Sequence, residues 1–527
     1  MQTQRHAPRR SSRAASRAPG STPKPANMRR ALAYAMLLVL VLSFLAYAIK
    51  YVDAPSGYDD DNAYIDNGFA FATGAYVENL NPISARVLMT VPIGLSYILF
   101  GTSPLSSAAW CIISYIGTII AVFLIARELS GETAGILAAM FAGFFPELAL
   151  LAPTVDDMVP FAFLTSLAMY CILVGRRRNK PLGHAAGGVL LVGSILVTPL
   201  GFITLVFALV YYVACLARSG ARIAGRGFVA LLVGIVIGSA AAGAFSYVNS
   251  GNPLMTLLAY GGFYSSENIG QTIVLNPSFY FGLMFPPLGS ALYSEFSVYF
   301  YMALAASAYV VLRRKRGAYF PLAWLWFTML YLIAGPMSVS VRPLAYYVIP
   351  EVNRYLVALA PPIAVLLGIS CATAFGWLLG PRPQHKHVHL AAAALLAAFV
   401  ALVFYSSGSW SITRSVNSIG YGAGMRGVAS YLSTAPYNGT GRVYLPPALP
   451  AMQTYLMFSG HNLFHRLEII QPGWNCSTFA PGSYVVLQMG TAIASPTNSS
   501  NPANLCGWHA IMNGSAGMLL YHVGPGG

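Results

Sequence analysis

Residues 31–64 read ALAYAMLLVLVLSFLAYAIKYVDAPSGYDDDNAY, and the junction inside this stretch decides the fold class. Ala31–Tyr51 is an apolar run of 21 residues. At about 1.5 Å per residue it spans the roughly 30 Å hydrocarbon layer of a bilayer. Close behind it, Tyr58-Asp59-Asp60-Asp61-Asn62-Ala63-Tyr64 sets three adjacent carboxylates against that run. Like charges at this spacing repel, and beside a membrane they are costly unless water or a cation stands close. A solvated acidic turn would explain a triplet that stood alone. The setting argues for more. All seven aspartates of the chain fall between residues 53 and 157, as Asp53, Asp59, Asp60, Asp61, Asp66 and the pair Asp156-Asp157.

The rest of the chain is apolar and basic. Of 527 residues, 56% are hydrophobic and 9% charged, with a net charge of +15, which excludes an ordinary soluble enzyme. The tail 1–30 carries eight Lys or Arg and no acid, interleaved with Pro, Ser and Ala, and reads as a disordered cytoplasmic segment. Positive charge beside a first membrane helix accounts for its basic character without nucleic acid as a partner. Ala31–Tyr51 suits a span better than the core of a cleaved signal.

Further spans are expected at Leu105–Ala126, Thr133–Ala152, Met158–Gly175, His184–Thr198, Gly201–Ala217, Phe228–Tyr247, Phe296–Leu312, Tyr319–Pro336, Asn353–Leu379 and Val388–Tyr405. Val87–Gly101 is apolar too, but it is short and broken by Pro92 and Gly94, so it is read as lying in the interface. Charge tests this count. With the N-terminus inside, about 11 transmembrane helices put 22 of the 30 basic residues in the cytoplasm, including Arg176–Arg178 and Arg313–Arg316. Letting Val87–Gly101 cross would invert those clusters. The count therefore puts Asp59–Asp61 and Asp156-Asp157 on one face, the outer one.

The fold class expected is an all-α polytopic membrane protein with a small C-terminal extracytoplasmic α/β domain. The basic tail occupies 1–30. A transmembrane domain at 31–406 carries outer loops at 52–104, 153–157, 248–295 and 337–352. The outer domain, 407–527, is about 120 residues long, with helix-like Gly422–Ser433 and Leu449–Phe458 and strand-like Arg442–Leu445, Arg466–Ile470 and Ser483–Leu487. It holds four Asn-x-Ser/Thr sequons, at Asn438, Asn475, Asn498 and Asn513, consistent with exposure outside the cell and with a glycoprotein. Cys476 and Cys506 are the two outer cysteines, which makes a disulfide between them plausible; Cys111, Cys171, Cys215 and Cys371 fall in spans.

Acids on the outer face with arginines opposite suit a lipid-linked sugar phosphate. A guanidinium can hold the leaving phosphate in a bidentate fork, and a carboxylate can take the proton of an attacking hydroxyl. A multispan solute or ion transporter is electrostatically similar, but its coupling site belongs near the bilayer midplane, where these spans carry almost no ionisable group.

Asp60-Asp61-Asn62-Ala63-Tyr64 resembles the Asp-Glu-x-x-Tyr motif in the first outer loop of the C-type (GT-C) membrane glycosyltransferases, in the branch of dolichyl-phosphate-mannose protein mannosyltransferases and aminoarabinose transferases. The likeness continues through Pro82, Arg86, Pro92 and Leu99-Phe100-Gly101, the turn Arg127–Gly131, and Asp156-Asp157 as the second acidic site. Val197-Thr198-Pro199 is similar to a Thr-Lys-Pro turn but lacks the lysine, and Arg354-Tyr355 with Pro361-Pro362 resembles a late Arg-Tyr and Pro element. It covers residues 31–380.

The resemblance implies a glycosyltransferase, a hexosyl or pentosyl transferase, that moves a sugar from a polyprenyl (dolichyl) phosphate to a glycan, lipid or protein acceptor at the outer face with inversion. It implies Asp60 as base, Asp61 as an orienting acid, and Asp156 or Asp157 as the second acidic contact. Arg354 would bind the donor phosphate with help from Arg342 or Arg86, supported by Tyr64 and Tyr355. An oligosaccharyltransferase moving a glycan en bloc is the alternative, but its Trp-Trp-Asp-Tyr-Gly motif is absent and the outer domain has no aspartate. No cofactor is read from the residues; a divalent cation, Mg or Mn, stays open. The implied location is the cell membrane, multi-pass, with the N-terminus cytoplasmic, the C-terminal domain outside and membrane lipid as surroundings.

Overall fold

The computed structural model describes residues 25–54, 59–219, 221–265, 294–334, 336–341, 344–348, 353–379 and 386–434. Beyond these it describes 442–445, 467–469, 479–480, 482–488, 509–513 and 518–523. Arg342, Cys476, Cys506, the sequons at 438, 475 and 498, and the expected helix 449–458 lie outside the described residues.

The helices run α1 (Pro25–Lys50), α2 (Asp59–Ala72), α3 (Val87–Phe100), α4 (Pro104–Ser130), α5 (Glu132–Gly143), α6 (Pro146–Leu151), α7 (Met158–Arg178) and α8 (Pro181–Val197). They continue as α9 (Gly201–Ser219), α10 (Ala221–Ser250), α11 (Met255–Ser265), α12 (Ser294–Leu312), α13 (Tyr319–Ala334), α14 (Ala360–Leu378) and α15 (Lys386–Thr434). Among the described residues, six helices are long and apolar enough to cross a bilayer, within α1, α4, α7, α10, Arg354–Leu378 and α15, and six more apolar helices are shorter. Helix ends follow local chemistry. At the start of α4, Ser103 and Ser106 cap each other reciprocally, with Pro104 in the first turn where its missing N–H is harmless. Asn179, in the left-handed conformation, ends α7 and Pro181 opens α8.

Two expected elements differ from those found. The single span at Thr133–Ala152 is broken at Phe144-Phe145 into α5 and α6. Pro146 supplies no N–H to continue the ladder, so α6 starts there afresh. The break lets the chain turn just before Asp156. The span at Val388–Tyr405 and the separate helix at Gly422–Ser433 are parts of one 49-residue helix, α15. At about 1.5 Å per residue it is roughly 74 Å long, so it runs well beyond a ~30 Å hydrocarbon layer. No proline interrupts it. The aromatic loop expected at Asn249–Glu295 contains a helix, α11.

α14 is the enclosed centre of the bundle, whereas α1, α10 and α15 turn most of their surface outward. Gly368 makes the close approach of α14 to α5 possible, since a Cβ there would stand 2.6 Å from both Cβ and N of Ala138. Without water to drive helices together inside a membrane, such small-residue contacts supply packing. A hairpin, β1 (Pro336–Val341) with β2 (Leu344–Val348), precedes a 3-10 turn at Asn353–Leu359. Past α15, five strands form a mixed sheet: β3 (Val443–Leu445), β4 (Leu467–Ile469), β5 (Tyr484–Gln488), β6 (His509–Asn513) and β7 (Met518–His522), ordered β4-β3-β5-β7-β6. β3, β4 and β5 match the strand-like segments of the sequence, and β3 pairs in parallel with both neighbours.

Candidate active site

The acids and arginines singled out in the sequence come from four separate segments, and the fold brings them to one place. Asp60 and Asp61 lie in the first turn of α2, where free backbone N–H groups favour negative charge. Tyr64 follows one turn later on the same side. Arg86 is the residue before α3. Asp156 and Asp157 occupy the turn that the α5–α6 break creates, just before α7. Arg354 and Tyr355 lie in the 3-10 turn ahead of α14. The backbone N–H of Asp53 donates to Pro153 O at 3.0 Å, and Tyr47 donates to Ala149 O at 3.3 Å, which moors the end of α1 to this acidic turn.

Two ion-pair systems result. Arg354 Nη2 donates to Asp60 Oδ2 at 2.5 Å, while its Nη1 stands 3.6 Å from Asp156 Oδ2. The Arg354 and Asp60 side chains are 24% and 27% exposed. Arg86 Nη1 donates to Asp157 Oδ2 at 2.9 Å, and there the side chains are 7% and 2% exposed. Arg86 also donates to the Tyr64 hydroxyl and lies over its ring, 5.6 Å from the centroid. Burial pushes the Tyr64 phenol well above its ordinary pKa, so it stays neutral and its oxygen accepts from Arg86. Arg354 similarly lies 5.7 Å from the centroid of the buried Tyr355 ring.

Asp156 is buried, and its Oδ1 accepts the Met158 backbone N–H at 2.8 Å. Burial, with Asp157 adding to it and Arg354 opposing it, pushes its carboxyl up to about 7. Among the described residues, Arg354 Nε, Arg86 Nε and Asp157 Oδ1 are enclosed without a hydrogen-bond partner. Arg354 therefore keeps donor capacity and access to solvent together. Arg86 has its guanidinium shut between Asp157 and Tyr64.

Asp61 and its neighbour Asn62 are buried. Two groups near the site were not singled out in the sequence. Tyr260 of α11 lies close enough to Arg86 for their charges to interact. Glu78, which is buried, takes a hydrogen bond from Thr256 at 2.7 Å between the 73–86 segment and α11. A lone glutamate in a polar segment carries no sequence signal; only the packing of α11 encloses it. As for metal, among the described residues no three His, Cys, Asp or Glu side chains stand together as a ligand set. Of the carboxylates at the site, Asp60, Asp156 and Asp157 stand beside guanidinium groups and Asp61 is buried.

No family model and no curated protein matches this chain. Among solved structures, ArnT from Cupriavidus metallidurans in the apo state superimposes with a TM-score of 0.56 at 14% identity, covering 94% of this chain and 98% of ArnT. The same protein bound to undecaprenyl phosphate gives 0.51 at 15% identity, with the same coverage. The oligosaccharyltransferase of Archaeoglobus fulgidus in the apo form gives 0.55 at 14% identity, covering 86% of this chain and 69% of that one. ArnT and AglB, the archaeal oligosaccharyltransferase, are GT-C membrane glycosyltransferases. Identity this low speaks to the fold, and the fold of this chain is that of the GT-C membrane glycosyltransferases.

Proposed function

We propose that this protein transfers a single sugar from a polyprenyl-phosphate donor to an acceptor hydroxyl at the outer membrane face. One observation carries the reading: a half-open arginine, Arg354, ties Asp60 and Asp156 together from three distant segments on a GT-C fold. In this reading Arg354 holds the donor phosphate, and Asp60 takes the acceptor proton as the oxygen attacks the anomeric carbon. A new C–O bond forms opposite the breaking C–O bond to phosphate. The bonding pair leaves on the phosphate, neutralised by Arg354, and the configuration inverts. Arg86 and Asp157 hold the wall behind this pair, and Asp61 orients the neighbouring segment. No step is routed through a metal.

An apolar cavity of about 270 Å³ supports a place for the lipid tail. It is lined by Val87, Leu88, Val91, Val192, Gly193 and Ala241, and Val87 directly follows Arg86 in the chain. The solved complex of ArnT with undecaprenyl phosphate, and of AglB with a dolichol-phosphate and an inhibitory peptide, support this donor class. The missing Trp-Trp-Asp-Tyr-Gly motif and the lack of any aspartate after Asp157 favour single-sugar over en-bloc transfer. The topology that fits is eleven spans with the basic clusters inside and the C-terminal sheet outside.

The test is transfer by protein in nanodiscs, using a panel of polyprenyl-phosphate sugars and membrane extract as acceptor, read by mass spectrometry. A sugar moved from donor to acceptor, and lost with Asp60→Asn, is the expected result. Wild-type protein that moves no sugar but carries a solute across vesicles makes it a transporter instead.

A further inference from the structure

We infer that Arg354 caps Asp60 until a donor binds, and that the donor phosphate uncaps it, so that the two substrates add in order, donor first. This rests on the transferase reading above and concerns how its site is controlled.

The carboxylate that must take a proton is already engaged by the guanidinium. Asp60 Oδ2 accepts Arg354 Nη2 at 2.5 Å, a short charge-assisted contact. A guanidinium at this distance occupies the side of the carboxylate on which an incoming hydroxyl would have to place its proton. In this state an acceptor hydroxyl meets a neutralised base.

The two anions that Arg354 touches are not equivalent. Asp156 is buried and pinned by the Met158 N–H, and it stands 3.6 Å from Nη1. Asp60 is 27% exposed and lies at the start of α2. Arg354 therefore has one buried, fixed partner in Asp156, with the charge of Asp157 also acting on it, and one accessible partner in Asp60. A phosphate arriving from solvent can replace the accessible one while Asp156 keeps the guanidinium in place. Phosphate suits the exchange: a charged oxygen can take the Nη2 contact that Asp60 holds, on the side of Arg354 that is open. The neighbouring arginine cannot do this, since Arg86 and Asp157 are both shut away from solvent.

The cycle then balances. Donor phosphate takes Arg354 and Asp60 is freed. Asp60 accepts the acceptor proton as the new C–O bond forms and the C–O bond to phosphate breaks. The polyprenyl phosphate leaves with the electron pair, Asp60 gives its proton to water, and Arg354 returns to it. Ordered addition prevents the base from acting before a donor is in place.

The test measures binding of a long-chain polyprenyl phosphate to protein in nanodiscs. Asp60→Asn removes the competitor for Arg354, so it should bind the probe roughly tenfold more tightly than wild type while losing transfer. In an Arg354→Gln background, which should bind the probe weakly, adding Asp60→Asn should give no such gain. Unchanged affinity in Asp60→Asn overturns the cap, and so does an equal gain in both backgrounds, which would mean plain charge repulsion from Asp60. Should Arg354→Gln not fold, inhibition of the wild-type enzyme by an unreactive acceptor analogue decides: it should be uncompetitive against donor, and mixed or competitive inhibition against donor overturns the inference. Wild-type protein that does not bind the probe sinks the transferase reading as well; binding with a neutral Asp60→Asn sinks the cap alone.

Discussion

Arg86 and Arg354 each pair with one or two of the clustered aspartates, and their surroundings differ more than their partners do. Arg86 is closed in by Asp157, Tyr64 and the base of α3, with side-chain exposures of 7% and 2% across the ion pair. Arg354 reaches Asp60 and Asp156 from a 3-10 turn, with a quarter of its side chain open. A buried pair holds segments together because breaking it leaves a charge without compensation. An open pair can trade one partner for a ligand. The same residue types thus stand closed in at one pair and partly open at the other, and on the reading proposed above only the open one is placed to bind a ligand.

Five measurements would break or sharpen that contrast. The largest effect is expected at the open pair. Asp60→Asn keeps the size of the side chain but removes the proton acceptor, and should slow transfer by roughly 10²–10⁴-fold in the nanodisc assay. A near-normal rate would leave the open pair without a catalytic role.

Next comes the closed pair. Arg86→Leu strands Asp157 in a buried setting and should destabilise the protein by about 3–5 kcal/mol, read by denaturant or thermal unfolding in detergent. The double variant Arg86→Leu with Asp157→Leu should recover much of that loss. If the double variant is as unstable as the single one, the brace is not the ion pair.

Arg354→Lys keeps the charge and loses the fork. It should weaken polyprenyl-phosphate binding by roughly 10- to 100-fold with a smaller change in unfolding stability, the reverse of the Arg86 pattern. Equal losses of stability at both arginines would erase the distinction.

The fourth concerns Asp156, whose carboxyl is pushed up to about 7 by burial. Between about 4 and about 7 the folded protein holds a proton that the unfolded chain has released, so this group's contribution to stability falls as pH rises and levels off above that window. Asp156→Asn should therefore gain on wild type in unfolding stability as pH climbs from 4 to 7. A pH-independent difference would show that Asp156 ionises normally.

The smallest effect belongs to the exposed ion pair at the end of α7. Arg178 pairs with Glu128 at 3.3 Å, with half of the arginine side chain exposed. Arg178→Ala should change unfolding stability by less than about 1 kcal/mol, and less still at high salt. A loss as large as that of Arg86→Leu would mean that exposure is a poor guide to what these pairs do.

Much of the bundle was legible because membrane spans are written as uninterrupted apolar runs, and α4, α7, α10 and the core helix α14 were all read that way. The break at Phe144-Phe145 was not, since a proline inside an apolar run is tolerated in some membrane helices and ends others. The continuity of α15 through residue 434 was missed for the opposite reason: Ser406-Ser407-Gly408 and the polar residues after it read as an exit from the membrane, although nothing there stops a helix. Strands β3, β4 and β5 showed in their apolar pattern; the order β4-β3-β5-β7-β6 did not, because pairing joins residues far apart in the chain.

By itself the sequence determined the membrane class and the acidic and basic residues to watch, since length, hydrophobicity and charge asymmetry act residue by residue. It also pointed to Asp60, Asp156, Asp157, Arg86 and Arg354, but could not say which arginine meets which acid. Only the tertiary structure decided that. The proline break before α6 turns Asp156 and Asp157 inward, α3 carries Arg86 beneath Tyr64, and the turn ahead of α14 delivers Arg354 to Asp60. Burial of a charge depends on what packs over it, and that cover comes from segments up to 294 residues apart.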